Sequence, residues 1–225
     1  MAQDRFFTIA FMDEAKEFIT SLPPSAREKI YYNLDKVACG YSNNDLFKKL
    51  DGNSELWEFR TLYNGLQYRL LAFWDEQEKR LIVATHGFVK KTWKVPAKEI
   101  KKAEQLRKKY YESKEEVIMA MKLTTLDELK DQDLGPIGTP KRDEYEARLE
   151  NELQAYNVGK AIKQARLANN LTQAELGERM GMHRAQICRL ESGKSITLNS
   201  MMRVFKALGV ECTLDMKGIG RIALW

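Results

Sequence analysis

Three apolar runs of period two, residues 56–62, 66–74 and 80–87, follow one another with only Tyr63-Asn64-Gly65 and an acidic loop at 75–79 between them. Asn-Gly and a short acidic loop are hairpin connections, so this stretch is predicted to be an antiparallel meander. Helical spacing surrounds it. After an opening strand at 6–11, Asp13 can cap a helix, and Pro23-Pro24-Ser25 ends that helix and starts another reaching about residue 37. Ala26, Ile30, Leu34 and Val37 recur with helical period, and a basic helix over 96–112 closes the unit. The first domain, 1–112, is therefore an α+β unit: a helical pair packed on an antiparallel sheet.

Beyond it the pattern changes twice. Residues 113–154 contain two breaks, Gly135-Pro136 and Gly138-Thr139-Pro140, followed by a charged stretch that reads as a solvated helix. From residue 158 short helical pieces are separated by Asn169-Asn170, Gly181, Gly193 and Gly209. The segments 210–216 and 219–225 alternate like a small hairpin around Lys217-Gly218. Domain three, 155–225, is thus all-α with a terminal β-hairpin.

Charge follows the same division. The whole chain carries +5, which resolves into +4 over 1–112, −5 over 113–157 and +6 over 158–225. Two basic units flanking an acidic connector predict two polyanion-binding modules, with a middle segment able to lie over the first in place of its ligand. Other classes are disfavoured. The longest apolar run, 70–74, is far short of a membrane span and the N-terminus has no signal-peptide pattern, so the chain reads as cytosolic and free of membrane partners. Three scattered cysteines and two distant histidines provide no disulfide framework, and no metal site or cofactor is expected.

The most specific motif is LTQAELGERMGMHRAQICRLESGKS, residues 171–195. Thr172 can cap a helix with Ala174, Leu176 and Met180 inward. Gly181 supplies the turn, and Ile187 and Leu190 face inward from a second helix. That is the spacing of a helix-turn-helix whose second helix enters the major groove. The residues resemble the Cro/Xre repressor family. By position, the resemblance implies DNA contacts from Gln173, Arg184, Gln186 and Arg189, and chemistry agrees: Arg suits guanine and Gln suits adenine. A solvated helix face is the alternative for the two glutamines. Arg166 and Glu191 match the family's structural ion pair. His183 stands where the family has a Ser or Thr cap and is a candidate phosphate contact. The resemblance further implies operator DNA and a homodimer, for which the C-terminal hairpin is the candidate seam.

The first domain carries LFKKLDGNSELWEFRTLYNGLQYRLLAFWDEQEKRLIVATHGFVKKTWKVPAKEIKKA. Arg60 and Arg69 fall on adjacent strands, His86 ends a strand, and Lys90, Lys91 and Lys94 follow, interleaved with Phe88 and Trp93. Cations with neighbouring rings fit an RNA strand, the charges holding phosphate and the rings stacking on bases. The unit resembles the RelE superfamily of toxins, in its HigB or phage Gp49-like branch, through LWEFR, YRLLAF and HGFVKKTWKVPAKEI. The resemblance implies a metal-independent messenger-RNA endoribonuclease acting on the ribosome through the ribose 2′-oxygen, paired with a HigA-type Xre antitoxin that holds it in check. Arg60, Arg69, Lys90, Lys91 and Lys94 are the catalytic phosphate-binding set, with lysines also free to meet ribosomal RNA. His86 is the proton-transfer candidate because its pKa lies near neutrality, and a hydrogen-bonded structural histidine is the competing reading. Phe88 and Trp93 are base platforms or core. Two other functions stay open: a transcriptional regulator with an inactive toxin-like domain, and a gyrase poison of the ParE branch. Met119 and Met121 mark where a separate antitoxin would begin, so the chain also reads as two joined reading frames.

Overall fold

The computed structural model describes residues 5–41, 44–52, 55–92, 94–115 and 123–224. They form two compact units, Met1–Leu149 and Glu150–Trp225.

The first unit is built on a six-stranded sheet. Strands β1 (Thr8–Phe11), β2 (Phe47–Lys49), β3 (Leu56–Tyr63), β4 (Leu66–Trp74), β5 (Leu81–Lys90) and β6 (Thr124–Thr125) lie in the order β2-β3-β4-β5-β1-β6. The expected meander is present, turned at Asn64 and Gly65, both at positive φ (46° and 74°) as an Asn-Gly hairpin requires. One pair departs from the antiparallel pattern: β1 runs parallel to β5, with Thr8 opposite Leu81. Helices α1 (Asp13–Thr20) and α2 (Pro24–Ala38) cover one face. Gly87 shows how closely, since a Cβ there would lie 1.9 Å from the Phe18 ring of α1. Helix α3 (Ala97–Glu115) packs on the other face, where Leu56, Leu71, Phe73 and Val83 meet Ala103, Leu106 and Tyr110.

A bulge in β5 decides which side chains reach that second face. Leu71 pairs with His86 while Ala72 pairs with Ala84, leaving Thr85 as the extra residue. Alternation is reset by one position. His86, Phe88 and Lys90 consequently share the face of Val83; under unbroken alternation through Thr85 they would share the face of Ala84, toward α1 and α2.

The C-terminal end of α3 is fixed to the β4–β5 turn through Asp75. Its Oδ1 accepts from the backbone N–H groups of Gln77 and Glu78, each at 2.8 Å, and its Oδ2 accepts from Tyr110 Oη (2.5 Å) and Lys114 Nζ (2.6 Å). Burial pushes this carboxyl up, but the ammonium, the phenol and the two N–H groups outweigh it and hold the pKa at about 2. A folded-state value below the unfolded one stabilises at higher pH. The Asp75 contribution is therefore complete above roughly pH 5, one unit over an ordinary carboxyl, and is lost as pH falls toward the folded value. Asp75→Asn is expected to lower thermal stability at neutral pH and flatten its acid decline. Equal acid slopes in melts of variant and parent would refute this linkage.

The segment after α3 is not a free connector. Residues 124–125 add β6 to the open edge of β1, and α4 (Leu126–Leu134) follows at once. It is started by a capping box in which Thr125 N–H donates to Glu128 Oε2 (2.6 Å) and Glu128 N–H donates to Thr125 Oγ1 (3.2 Å). Helix α5 (Pro140–Ala168) comes next, and the boundary between the units falls inside it. The expectation of a solvated helix is corrected for its first turns, because Arg142, Tyr145 and Leu149 are buried. Lys130 on α4 and Arg142 are the reason: both are fully enclosed among Asp35, Asp127, Asp131 and Glu146.

The second unit contains the rest of α5, then α6 (Gln173–Met180), α7 (Arg184–Glu191) and α8 (Leu198–Ala207), and ends in the hairpin β7 (Thr213–Met216) and β8 (Gly220–Ala223). Ile162, Leu176, Met180, Ile187, Leu190, Val204, Phe205 and Leu208 form its core. Thr172 caps α6 in a second capping box, and Gly181 takes the left-handed conformation (φ 62°) between α6 and α7. Ala174 differs from the inward position read from the sequence: it is exposed.

Candidate functional site

Register alone brings the cationic residues of the first unit together. Across the α3 face the opposed rows are Lys48, Glu58, Leu71 and His86; then Arg60, Arg69 and Phe88; then Leu62, Gln67 and Lys90. Helix α3 covers the lower part of this face and leaves the upper part as a cleft of about 780 Å³. Its lining includes five residues expected from the sequence, Arg60, Arg69, Lys90, Lys91 and Lys94, together with Lys48, Lys49, Glu58 and Gln67, which were not singled out. Seven cationic groups against the carboxylates of Asp51 and Glu58 make the cleft an anion site.

Glu58 organises its floor. The side chain is buried; Arg60 Nε donates to its Oε1 at 2.6 Å, and Arg69 Nε lies 3.3 Å from its Oε2. Arg60 also donates to the Asn44 carbonyl (3.1 Å), and Arg69 donates to the Tyr68 carbonyl (3.1 Å) and to Gln67 Oε1 (2.9 Å). Both guanidinium planes are thereby fixed. Burial and the neighbouring Arg60 push the Arg69 pKa down, against Glu58. Lys90 is lowered too, first by burial and then by Arg69, Arg60 and Lys48, with Glu58 opposing. An ammonium in that position gives up its proton more readily than a free lysine.

His86 is on the same face but does not line the cleft. It is buried under α3, with Nε2 3.1 Å from Glu99 Oε2 and Nδ1 3.2 Å from Thr85 Oγ1. Burial lowers its pKa, favouring neutral imidazole, with Glu99 opposing. Phe88 stacks on the His86 ring at 6.2 Å and joins the α3 core, so it is packed rather than presented as a platform. Trp93 lies outside the described residues, as do Met119 and Met121.

The described part of the acidic segment within the first unit packs away from this site. Among the described residues none from 123–149 lines the cleft, because its acids are already engaged. Asp127 pairs with Arg5, Asp131 and Glu146 with Arg142, and Asp133 with Arg27. β6 lies at the sheet edge opposite β2. Residues 123–149, which the charge alternation placed over the cleft, dock elsewhere on the unit.

In the second unit, α7 presents Arg184, Ala185, Cys188 and Arg189 to solvent, with Ile187 and Leu190 anchoring its other side. Arg189 donates to Ser195 Oγ (3.0 Å). The other expected contacts are partly engaged in structure. Gln186 Oε1 accepts from the His183 backbone N–H (2.8 Å), which starts the helix in place of a Ser or Thr cap, and the His183 ring is exposed. Gln173 is half-buried and donates to Glu191 Oε2 (2.8 Å). The Arg166–Glu191 pair is present and bidentate, tying α5 to α7.

Two family models match the chain. Residues 17–108 match the family described as phage derived protein Gp49-like, and residues 162–214 match the helix-turn-helix family. No curated protein sequence matches the chain. Among the described residues no helix is long and apolar enough to cross a membrane.

Proposed function

From a Gp49-like domain followed in one chain by a helix-turn-helix domain of Xre type, we propose a toxin–antitoxin protein whose first unit cuts messenger RNA on the ribosome and whose second binds operator DNA. The observation that carries the nuclease reading is the cleft, whose lining gathers Arg60, Arg69, Lys90, Lys91 and Lys94 with Lys48 and Lys49. In the cut, a ribose 2′-oxygen attacks the adjacent phosphorus and negative charge accumulates on the phosphate oxygens. Fixed guanidinium and ammonium groups in a partly dry site stabilise that charge without a metal. The cations hold the backbone, and the ribosome presents the strand.

The second unit acts on expression. α7 enters the major groove with Arg184 and Arg189 foremost, and a homodimer through the exposed terminal hairpin places two such helices on a palindrome. Residues 123–149 do not line the cleft, and on this reading the restraint is repression of the protein's own promoter by the second unit.

The test adds the purified intact chain to ribosomes programmed with a defined messenger. Cleavage is expected, is blocked by a single 2′-deoxy substitution at the cut, and falls about 100-fold in Arg60→Ala. An inert chain and an inert 1–149 fragment would leave a transcriptional regulator with a silent toxin-like unit. A gyrase-dependent DNA-damage response would place the target elsewhere.

A further inference from the structure

The nuclease reading needs a group that takes the 2′-hydroxyl proton, and His86 is out of reach beneath α3. The cleft contains one buried carboxylate. Glu58 is 2 % exposed, whereas Asp51, the other acid of the lining, has a solvated side chain paired with Lys48 at 3.1 Å. The two oxygens of Glu58 are not equivalent. Oε1 is held by Arg60 Nε at 2.6 Å, which orients the group. Oε2 is buried and has no hydrogen-bond partner among the described residues, and the same is true of Arg69 Nε, only 3.3 Å away. The two atoms form an ion pair without hydrogen-bond geometry, so each keeps hydrogen-bonding capacity toward a ligand at the floor of the cleft. A ribose-phosphate unit fits both: its hydroxyl donates to Oε2, and a non-bridging phosphate oxygen accepts from Nε.

We propose that Glu58 is the general base of the cleft, its Oε2 taking the ribose 2′-hydroxyl proton as that oxygen attacks the adjacent phosphorus. The assignment rests on the ribonuclease reading above. The step balances without a redox partner. The 2′-O–H bond breaks toward Glu58, the 2′-O–P bond forms, the P–O5′ bond breaks, and the departing 5′-oxygen takes a proton from the Lys90 ammonium. The products are a 2′,3′-cyclic phosphate and a 5′-hydroxyl. Solvent then returns a proton to Lys90 and removes one from Glu58. The depressed pKa of Lys90 suits a donor to the leaving group. The fold supplies the alignment, because strand alternation sets Glu58 and Arg60 on one face of β3 and the ladder sets Arg69 opposite Arg60.

The experiment measures single-turnover cleavage by the intact chain on programmed ribosomes as a function of pH, in the parent, Glu58→Gln and Glu58→Asp. General-base catalysis is worth about 10²–10⁴-fold, so Glu58→Gln is expected to lose at least about 100-fold and the acidic limb of the pH profile. Its affinity for ribosomes programmed with the 2′-deoxy messenger should stay close to the parent's. A residue that merely held Arg60 and Arg69 in place would lower the rate or the affinity and leave the limb intact, and that outcome overturns the proposal. So does cleavage by Glu58→Gln at the parent's rate. If Glu58→Gln loses its cooperative unfolding transition, Glu58→Asp decides instead. The proposal requires it to keep the acidic limb while slowing by about tenfold or more through displacement of the carboxylate, and an unchanged rate or a missing limb refutes it. Absence of cleavage by the parent chain overturns the ribonuclease reading itself, and is thereby distinct from failure of Glu58 alone.

Discussion

Asp35→Ala is expected to destabilise the first unit by about 3–5 kcal/mol, the usual cost of removing one partner from a buried ionic group. Asp35 on α2 is the point where residues from three parts of the chain converge. Its carboxylate accepts from Arg5 NH2 at 2.9 Å, Lys130 Nζ at 2.8 Å and Tyr145 Oη at 2.6 Å. Lys130 is wholly buried, so without Asp35 its ammonium depends on Glu146 at 3.2 Å and the half-exposed Asp127 at 3.3 Å. Burial and Asp35 push the Tyr145 phenol far up, so its hydroxyl is a committed donor that the alanine would strand. Urea unfolding of the intact chain, followed through Trp57 and Trp74, reads the loss. A shift under about 1 kcal/mol would show that Leu126, Leu129, Leu134 and Leu149 hold the segment by apolar burial alone. Replacing Asp35 and Lys130 together with apolar residues of similar volume should recover the part due to the unpaired ammonium, while the cost of leaving Tyr145 Oη and Arg5 without their acceptor stays. The same network decides what deleting residues 115–155 would do. The deletion removes β6, α4 and the start of α5 from a packed unit, and the expected result is loss of the fold rather than release of a masked toxin.

How far the sequence revealed this arrangement depended on whether a signal was local. The meander, α1 to α3, the helix-turn-helix and the terminal hairpin were legible because each has its own period and punctuation. β2 and β6 were not, being three and two residues long, too short for any periodicity. The capping box Thr125-Leu126-Asp127-Glu128 was present in the sequence as a helix start and was not used. The acidic segment misled for a different reason. Net charge counts Asp127, Asp131, Asp133 and Glu146 as free, although they are matched by Arg5, Arg27, Lys130 and Arg142, two of them beyond the segment. Composition cannot register pairing between distant residues.

The cleft shows the same limit in reverse. Its cations were legible as a cluster, but their shared face depends on the extra residue Thr85, and a bulge leaves no mark in an apolar pattern. His86 was chosen for an intrinsic pKa near neutrality. Strand position and the approach of Glu99 from α3 decide its surroundings, and neither is local. Glu58 was missed although a signal existed: in Leu56-Trp57-Glu58-Phe59-Arg60 the acid and the arginine alternate with aromatics, so a charged pair shares one face of a strand otherwise built for burial. A carboxylate at i and a guanidinium at i+2 in a strand mark a site more sharply than either does alone.

Gly159→Val is expected to abolish DNA binding by the second unit, through backbone contact rather than through any residue that faces DNA. A Cβ at Gly159 on α5 would lie 2.6 Å from the Gly193 nitrogen and 2.7 Å from the carbonyl oxygens of Leu190 and Glu191. The approach is reciprocal, since a Cβ at Gly193, itself at φ +80°, would lie 2.8 Å from the Tyr156 nitrogen and 2.9 Å from the Ala155 carbonyl. These are main-chain atoms at the end of α7, and they cannot rotate aside as a side-chain tip can. The helix must move. Overpacking of this kind costs about 1–3 kcal/mol, and removing a helical glycine returns only about 1 kcal/mol, less for a β-branched residue. Displacing α7 also stretches the Arg166–Glu191 pair and the Gln173–Glu191 hydrogen bond, which set its angle against α5 and α6. Titration of DNA from upstream of the protein's own reading frame, beside a thermal melt, tests the idea. Gly159→Val should melt lower and lose specific binding, while Lys163→Ala, exposed on the same helix, should melt as the parent does. If Gly159→Val matches the parent in both, the α5–α7 approach is slack, and the orientation of α7 rests on the ion pair alone.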